Sequence, residues 1–272
     1  MRIVVRPPAR EDVGSWERLG WRAEPDLDRL TSEHERFREL LADAGAEVLV
    51  ARGEPGNLDS IYVYDPTLIT PHGTILLQPG KAERRGEPDA LGPDLPLSVI
   101  GRLGGDELAE GGDTVWLDER TLLVGRTYRT NAAGIEALRR LIPGTDIHAF
   151  DLVHHHGAGE VLHLRSLLNP ISHDLVVAYV PLLPVPLVEL LEERGVAIVE
   201  VPDGEFETMG PNVLGLGSRR ALALAGNDET RRRLEHAGVE VLEYEGDEIS
   251  RKGDGGPTCL TLPVDFDGSR SS

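Results

Sequence analysis

One cysteine in 272 residues leaves no partner for an intramolecular disulfide, and a lone thiol points to a reducing, cytoplasmic setting. No apolar run reaches the roughly 18 residues of a membrane span, and the apolar stretch after Met1 is too short for a secretory signal. Basic residues are scarce: 28 Lys and Arg face 47 Asp and Glu, for a net charge of -19 and a pI near 4.8. That balance argues against nucleic acid and anionic membrane surfaces, which attract basic patches, and favours a small cationic partner. No Gly-x-Gly-x-x-Gly follows a strand and no Walker lysine follows a glycine loop, so the common nucleotide-binding signatures are missing. No low-complexity linker divides the chain, and the expectation is one domain over 1–264 with a flexible tail at 265–272.

What the sequence does have is a recurring unit. Helical stretches around Phe37, Val188 and Arg231 each stop at a glycine (Gly45, Gly195, Gly238) and pass straight into a strand. In the first, Ser32 and Glu35 read as a capping box, and Phe37, Leu40, Leu41 and Ala44 share one apolar face. Hairpins precede such helices: Thr114–Leu117 with Thr121–Val124, Asn212–Leu216 with Arg220–Leu224 around Gly217, and a third about Pro71, His72 and Gly73. The unit is two strands, a helix and a strand, roughly 45 to 50 residues long, so about five fit the chain. Repeated sheet-plus-helix modules suggest an α/β ring around a central axis.

The chemistry-bearing residues fall between these elements. Cys259 follows a glycine-rich loop and precedes an apolar strand, Glu110 and Asp113 flank Gly111 and Gly112, and His163 stands between Leu162 and Leu164. Read as a strand, Val161–Arg165 puts His163 on the same face as Arg165. The plain alternatives are a buried structural cysteine, turn acids, a core histidine, and strand caps at Asp59 and Asp65. His154, His155 and His156 tempt a metal reading, but consecutive extended residues point in alternating directions and no second cluster completes a site, so no metal and no cofactor is expected.

Five motifs in order, namely Glu110–Asp113, Arg129–Asn131, His163 within Leu-His-Leu, Asn212–Leu214 and Cys259, resemble the guanidine-modifying enzymes. That superfamily has the five-bladed α/β propeller called the pentein. Size, the His163–Arg165–Ser166 run, and Asp59 and Asp65 bracketing an expected strand Ile61–Val63 resemble dimethylarginine dimethylaminohydrolases, whereas the stretch Arg251–Pro263 resembles arginine deiminases. Tyr64 departs from the family, which carries an acid there.

A guanidinium carbon becomes electrophilic when its charge is held between carboxylates, for which Asp65 and Glu110, then Asp59, are the candidates. Cys259 would attack as thiolate, and His163 would protonate the leaving amine and then activate water. By resemblance Arg85 and Arg129 hold the substrate α-carboxylate. The expected activity is hydrolysis of arginine or a methylated arginine to citrulline. Arginine deiminase or dihydrolase chemistry, a shorter guanidino substrate, and a non-catalytic pentein binding protein are the alternatives. A homodimer is compatible with the sequence without being specified by it.

Overall fold

The structure, a computed structural model, describes residues 1–266. Fifteen short strands form five three-stranded sheets. β1 (Arg2–Val5) runs parallel to β2 (Glu47–Val50). β3 (Thr67–Thr70), β4 (Gly73–Leu76) and β5 (Val99–Arg102) make the second sheet, and β6 (Thr114–Trp116), β7 (Thr121–Arg126) and β8 (Asp146–Asp151) the third. β9 (Leu168–Ser172), β10 (Leu175–Ala178) and β11 (Ala197–Glu200) make the fourth, and β12 (Leu214–Gly217), β13 (Arg220–Leu224) and β14 (Glu240–Tyr244) the fifth. β15 (Leu262–Pro263) then returns to pair antiparallel with β1, so the first sheet is closed by both ends of the described chain.

Every sheet repeats one arrangement: an antiparallel pair, then a parallel partner reached through a helical crossover. The middle strands are almost wholly buried, while β2, β5, β8 and β11 are largely exposed or half-exposed. One strand of each sheet faces a common cavity of about 370 Å³, which Ile69, Trp116, Ile171, Leu214 and Leu262 line. Five sheets surrounding one axis make the five-module propeller expected from the repeats.

The three hairpins form as expected, with Thr114 opposite Val124, Leu214 opposite Leu222, and Thr70 opposite Gly73. Gly45, Gly195 and Gly238 end their helices in the left-handed region that glycine enters without steric cost. Phe37, Leu41 and Ala44 are buried, as the apolar face of their helix implied. Among the described residues, no helix is long and apolar enough to cross a membrane.

Several local expectations fail. The helix around Phe37 runs Leu27–Asp43 and is capped by Asp26, whose side chain accepts from the Arg29 N–H; Ser32 lies inside it. The Pro- and Gly-rich stretch Gly86–Pro96, whose composition suits a surface loop, instead holds the helix Glu87–Leu91 of the second module, with Glu87, Pro88 and Leu91 buried. The strand expected over Ile61–Val63 is the end of a 3-10 turn, Leu58–Ile61, followed by a further turn. Val161–Arg165 is no strand either: His163 is the extended residue before one helical turn, Leu164–Leu167. Asp265 and Phe266, assigned to a tail, are held: Asp265 accepts from the backbone and guanidinium of Arg2, and Phe266 packs edge-on against Trp116. Residues 267–272 lie outside the described residues.

Candidate active site

Two glycines let one loop lie directly on another. The Gly111 N–H donates to the Asp65 carbonyl (2.9 Å) and the Gly112 N–H to Asp65 Oδ1 (2.9 Å). A Cβ on Gly111 would sit 2.1 Å from the Tyr64 carbonyl oxygen, and one on Gly112 would sit 2.8 Å from the His163 ring and 2.9 Å from Asp65 Oδ1. Any side chain there would push apart Asp65, Glu110 and His163. The spacing Glu110-Gly-Gly-Asp113 is therefore a packing requirement that delivers two acids to one point.

His163 Nε2 lies 2.7 Å from Glu110 Oε2, and Glu110 is fully buried. Asp113 fixes the approach of the histidine: its Oδ1 accepts from the Leu164 N–H (3.2 Å) and its Oδ2 from the Thr127 hydroxyl (2.7 Å). Burial favours neutral His163, but the charges of Asp113, Glu110 and Asp65 and the Glu110 hydrogen bond outweigh it and raise its pKa to about 9. Burial likewise opposes the Glu110 carboxylate, yet the His163 bond and charge, with Arg129 and Arg84, hold it well below the ordinary range. Asp113 goes the other way, pushed up to about 6 chiefly by burial. Near neutral pH the histidine is thus an imidazolium bound to a carboxylate.

Cys259 faces an amide. Asn212 Oδ1 accepts from both the N–H (3.1 Å) and the hydroxyl (2.8 Å) of Thr258, which turns its Nδ2 toward Cys259 Sγ at 3.5 Å. Two donors on one atom fix which end of the side chain is oxygen. The Cys259 carbonyl accepts from the Tyr64 N–H (3.3 Å), which ties the thiol loop to the residue before Asp65. Burial and the negative charge of Asp65 raise the thiol pKa, and the Asn212 bond only partly offsets them.

Of the expected substrate-binding residues, Asp65 and Arg129 reach this cluster: Arg129 Nη1 lies 3.3 Å from Glu110 Oε1. Arg85 does not. It is exposed, with Nε 3.4 Å from the Pro79 carbonyl, and the buried arginine is Arg84, which pairs with Asp65 and Glu87. The two arginines were separable only by the phase of the 3-10 turn Ala82–Arg84, which sends Arg84 inward. Asp59 is buried and already engaged, accepting from Trp21 Nε1 (2.8 Å) and Lys81 Nζ (2.5 Å). Arg84, Lys81 and the amide role of Asn212 were not foreseen.

Ligand atoms of Asp65, Glu110 and His163 lie within 4.8 Å of one another. Those acids are already matched by Arg84, Arg129 and the His163 imidazolium, which suits an organic cation that shares hydrogen bonds better than a bare metal ion. The histidine run corrects a premise: His155 takes a positive φ of 45°, so its ring and that of His156 lie 3.8 Å apart, tilted at 55°, and converge with Glu207 instead of diverging.

The family described as N,N dimethylarginine dimethylhydrolase, eukaryotic, matches residues 19–266. The N(G),N(G)-dimethylarginine dimethylaminohydrolase of Pseudomonas aeruginosa is 26% identical over 272 residues, covering 96% of this chain and 98% of that one. Its structure complexed with citrulline superposes with a TM-score of 0.79 at 24% identity, over 96% of this chain and 98% of that chain. The N-terminal domain of ArgZ, an arginine dihydrolase from cyanobacteria, superposes with a TM-score of 0.83 at 19% identity, over 97% of each chain. These two likenesses establish the pentein fold, and the family match over nearly the whole described chain establishes the lineage: the chain belongs to the N,N dimethylarginine dimethylhydrolase family.

Proposed function

We propose that the protein hydrolyses one guanidinium C–N bond of arginine or a methylated arginine through a covalent Cys259 intermediate, yielding citrulline and ammonia or a methylamine. One observation carries this reading: polar atoms of Asp65, Glu110 and His163 converge within 4.8 Å of one another, and the Cys259 loop is tied to the residue before Asp65. Burial raises the Cys259 pKa while carboxylates raise that of His163 to about 9. A Cys–His ion pair is therefore not preformed, and a bound cation is what makes the thiolate accessible. A guanidinium supplies that cation. Each carboxylate has about four acceptor positions, so Asp65 and Glu110 retain room for its N–H groups beside their present partners.

The steps then balance. The thiol gives its proton to solvent as the guanidinium binds, and the thiolate attacks the central carbon to form a C–S bond. The C–N bond breaks as His163 gives its proton to the departing nitrogen, leaving an isothiouronium on Cys259. The neutral imidazole next takes a proton from water, hydroxide adds to the same carbon, and the C–S bond breaks as the added hydroxyl gives up its proton to the departing sulfur, which releases the ureido product and restores the thiol. Glu110 stabilises the imidazolium, Asp65 orients the guanidinium, and Arg129 meets the carboxylate. An unpaired nucleophilic thiol suits a reducing, cytoplasmic setting.

The test is a panel of arginine, N-methylarginine, dimethylarginine and agmatine assayed for ureido product and released amine, with Cys259→Ser as control. Turnover lost in the serine variant supports the reading. No turnover of any guanidine, or activity that survives in Cys259→Ser, overturns it.

A further inference from the structure

The cavity of about 370 Å³ framed by the five sheets lies apart from the candidate active site. β3, β6, β9, β12 and β15 begin shortly after Asp65, Asp113, His163, Asn212 and Cys259 respectively, so the site gathers at one end of these strands. The exposed residues that line the cavity, residues 118–120 and His173, belong to hairpin turns at the other ends of β6 and β9. The cavity therefore opens on the face away from the site. Tyr64, Arg165 and Thr258 line its inner end, each one or two residues from Asp65, His163 or Cys259.

Arg165 is buried, and the guanidine hydrolysis described above makes no use of it. Its guanidinium carbon lies 4.2 Å from the centre of the Tyr64 ring, and its N–H groups donate to three neutral oxygens: the Thr114 carbonyl (3.2 Å), Asn169 Oδ1 (2.8 Å) and the Tyr64 hydroxyl (2.7 Å). Two of its five N–H groups are left over. Among the described residues no carboxylate pairs with it, whereas the other buried arginines are matched: Arg6 meets Asp12, and Arg84 meets Asp65 and Glu87. A buried charge without a counter-ion is costly, and an anion that entered the cavity would supply one. At the rim Asp118 is already paired with Arg194 and Arg120 stands beside Glu119, so the acids there do not form an unbroken negative entrance. The walls are apolar, with Ile69, Trp116, Leu214 and Phe266 among them, and they suit a hydrocarbon body better than a hydrated inorganic ion. We infer that this cavity is a second ligand site, for a small monocarboxylate with an apolar body. The spare N–H groups of Arg165 hold the carboxylate at the inner end, and the strand side chains enclose the rest.

The experiment is calorimetric titration of the full chain with octanoate, octanol and acetate. Octanoate should bind at one site per chain. Octanol, which has the body without the charge, and acetate, which has the charge without the body, should each bind about tenfold or more weakly, the loss expected for a charge-assisted hydrogen bond or for the apolar contacts. Arg165→Met should weaken octanoate by about tenfold and leave octanol unchanged. Leu214→Trp keeps Arg165 but fills the cavity, and should weaken both. Arg129→Ala should bind octanoate as wild type does, because Arg129 belongs to the site at the other end of the strands. The inference is overturned if octanoate does not bind, if octanol or acetate binds as tightly, or if a folded Arg165→Met or Leu214→Trp protein keeps wild-type affinity. It is also overturned if Arg129→Ala loses octanoate, which would put the carboxylate in the active site. Binding is read without turnover, so each outcome stands apart from guanidine hydrolysis.

Discussion

His163 Nε2 and Glu110 Oε2, 2.7 Å apart, form a buried pair whose charge state governs both the stability of the site and its readiness to react. Glu110 is held as a carboxylate and His163 as an imidazolium, so in the proposed mechanism the proton needed by a leaving amine is in place before substrate arrives.

The pair makes stability depend on pH in one direction. The His163 pKa rises from 6.5 to about 9 in the folded protein, so its contribution is complete below 6.5 and is lost as the pH climbs through about 9. Thermal unfolding of wild type and His163→Asn should therefore differ most at or below pH 6.5 and converge toward pH 9. A difference that widens with rising pH would show that the histidine is buried neutral.

Gly112 has no tolerance for a side chain, because a Cβ would stand 2.8 Å from the His163 ring and 2.9 Å from Asp65 Oδ1. Gly112→Ala should cost about 1 to 3 kcal/mol of stability by overpacking. Its activity should fall far more than that of a surface glycine variant such as Gly144→Ala, assayed at a temperature where both stay folded. Equal activity in the two would mean that the close contact of the two loops is incidental.

How far this site was legible follows from the kind of signal each residue carries. Glu110, Asp113 and Cys259 stand beside glycines that mark tight backbone approaches, and such local marks survive in the sequence. The hairpins and helix-ending glycines were readable for the same reason, since turn chemistry is local. Arg84 and Arg85 are adjacent and chemically identical, and only the phase of a three-residue turn sends one inward. Alternation misplaced His163 because Val161–Arg165 reads as extended, whereas Asp113, 51 residues before Leu164, draws the Leu164 N–H into a helical turn. Lys81 was invisible because its meaning depends on a contact with Asp59, 22 residues away, that no periodicity encodes. Burial of the Glu87–Leu91 helix likewise depends on Arg84, whose ion pair holds Glu87 inside.

Arg129 and Asp65 should separate binding from chemistry. Arg129→Ala removes a charge-assisted contact and should raise KM for a carboxylate-bearing guanidine by roughly 1.5 to 3 kcal/mol, leaving kcat less affected. Asp65 is fixed by Gly112 and Arg84, and in the proposed mechanism it orients the reacting group, so Asp65→Asn should lower kcat instead. Steady-state kinetics on both variants checks this, and the opposite assignment of effects would exchange their roles.

The covalent claim is tested most directly by quenched-reaction mass spectrometry of the His163→Gly protein with an S-methyl isothiourea analogue of arginine, whose thiolate leaving group departs without the proton that His163 would supply. If Cys259 attacks with help from the substrate cation and His163 mainly moves protons, an adduct on Cys259 should accumulate, because the water that resolves it lacks a base. A protein that consumes substrate yet never shows mass added at Cys259, in His163→Gly or wild type, would contradict the covalent mechanism.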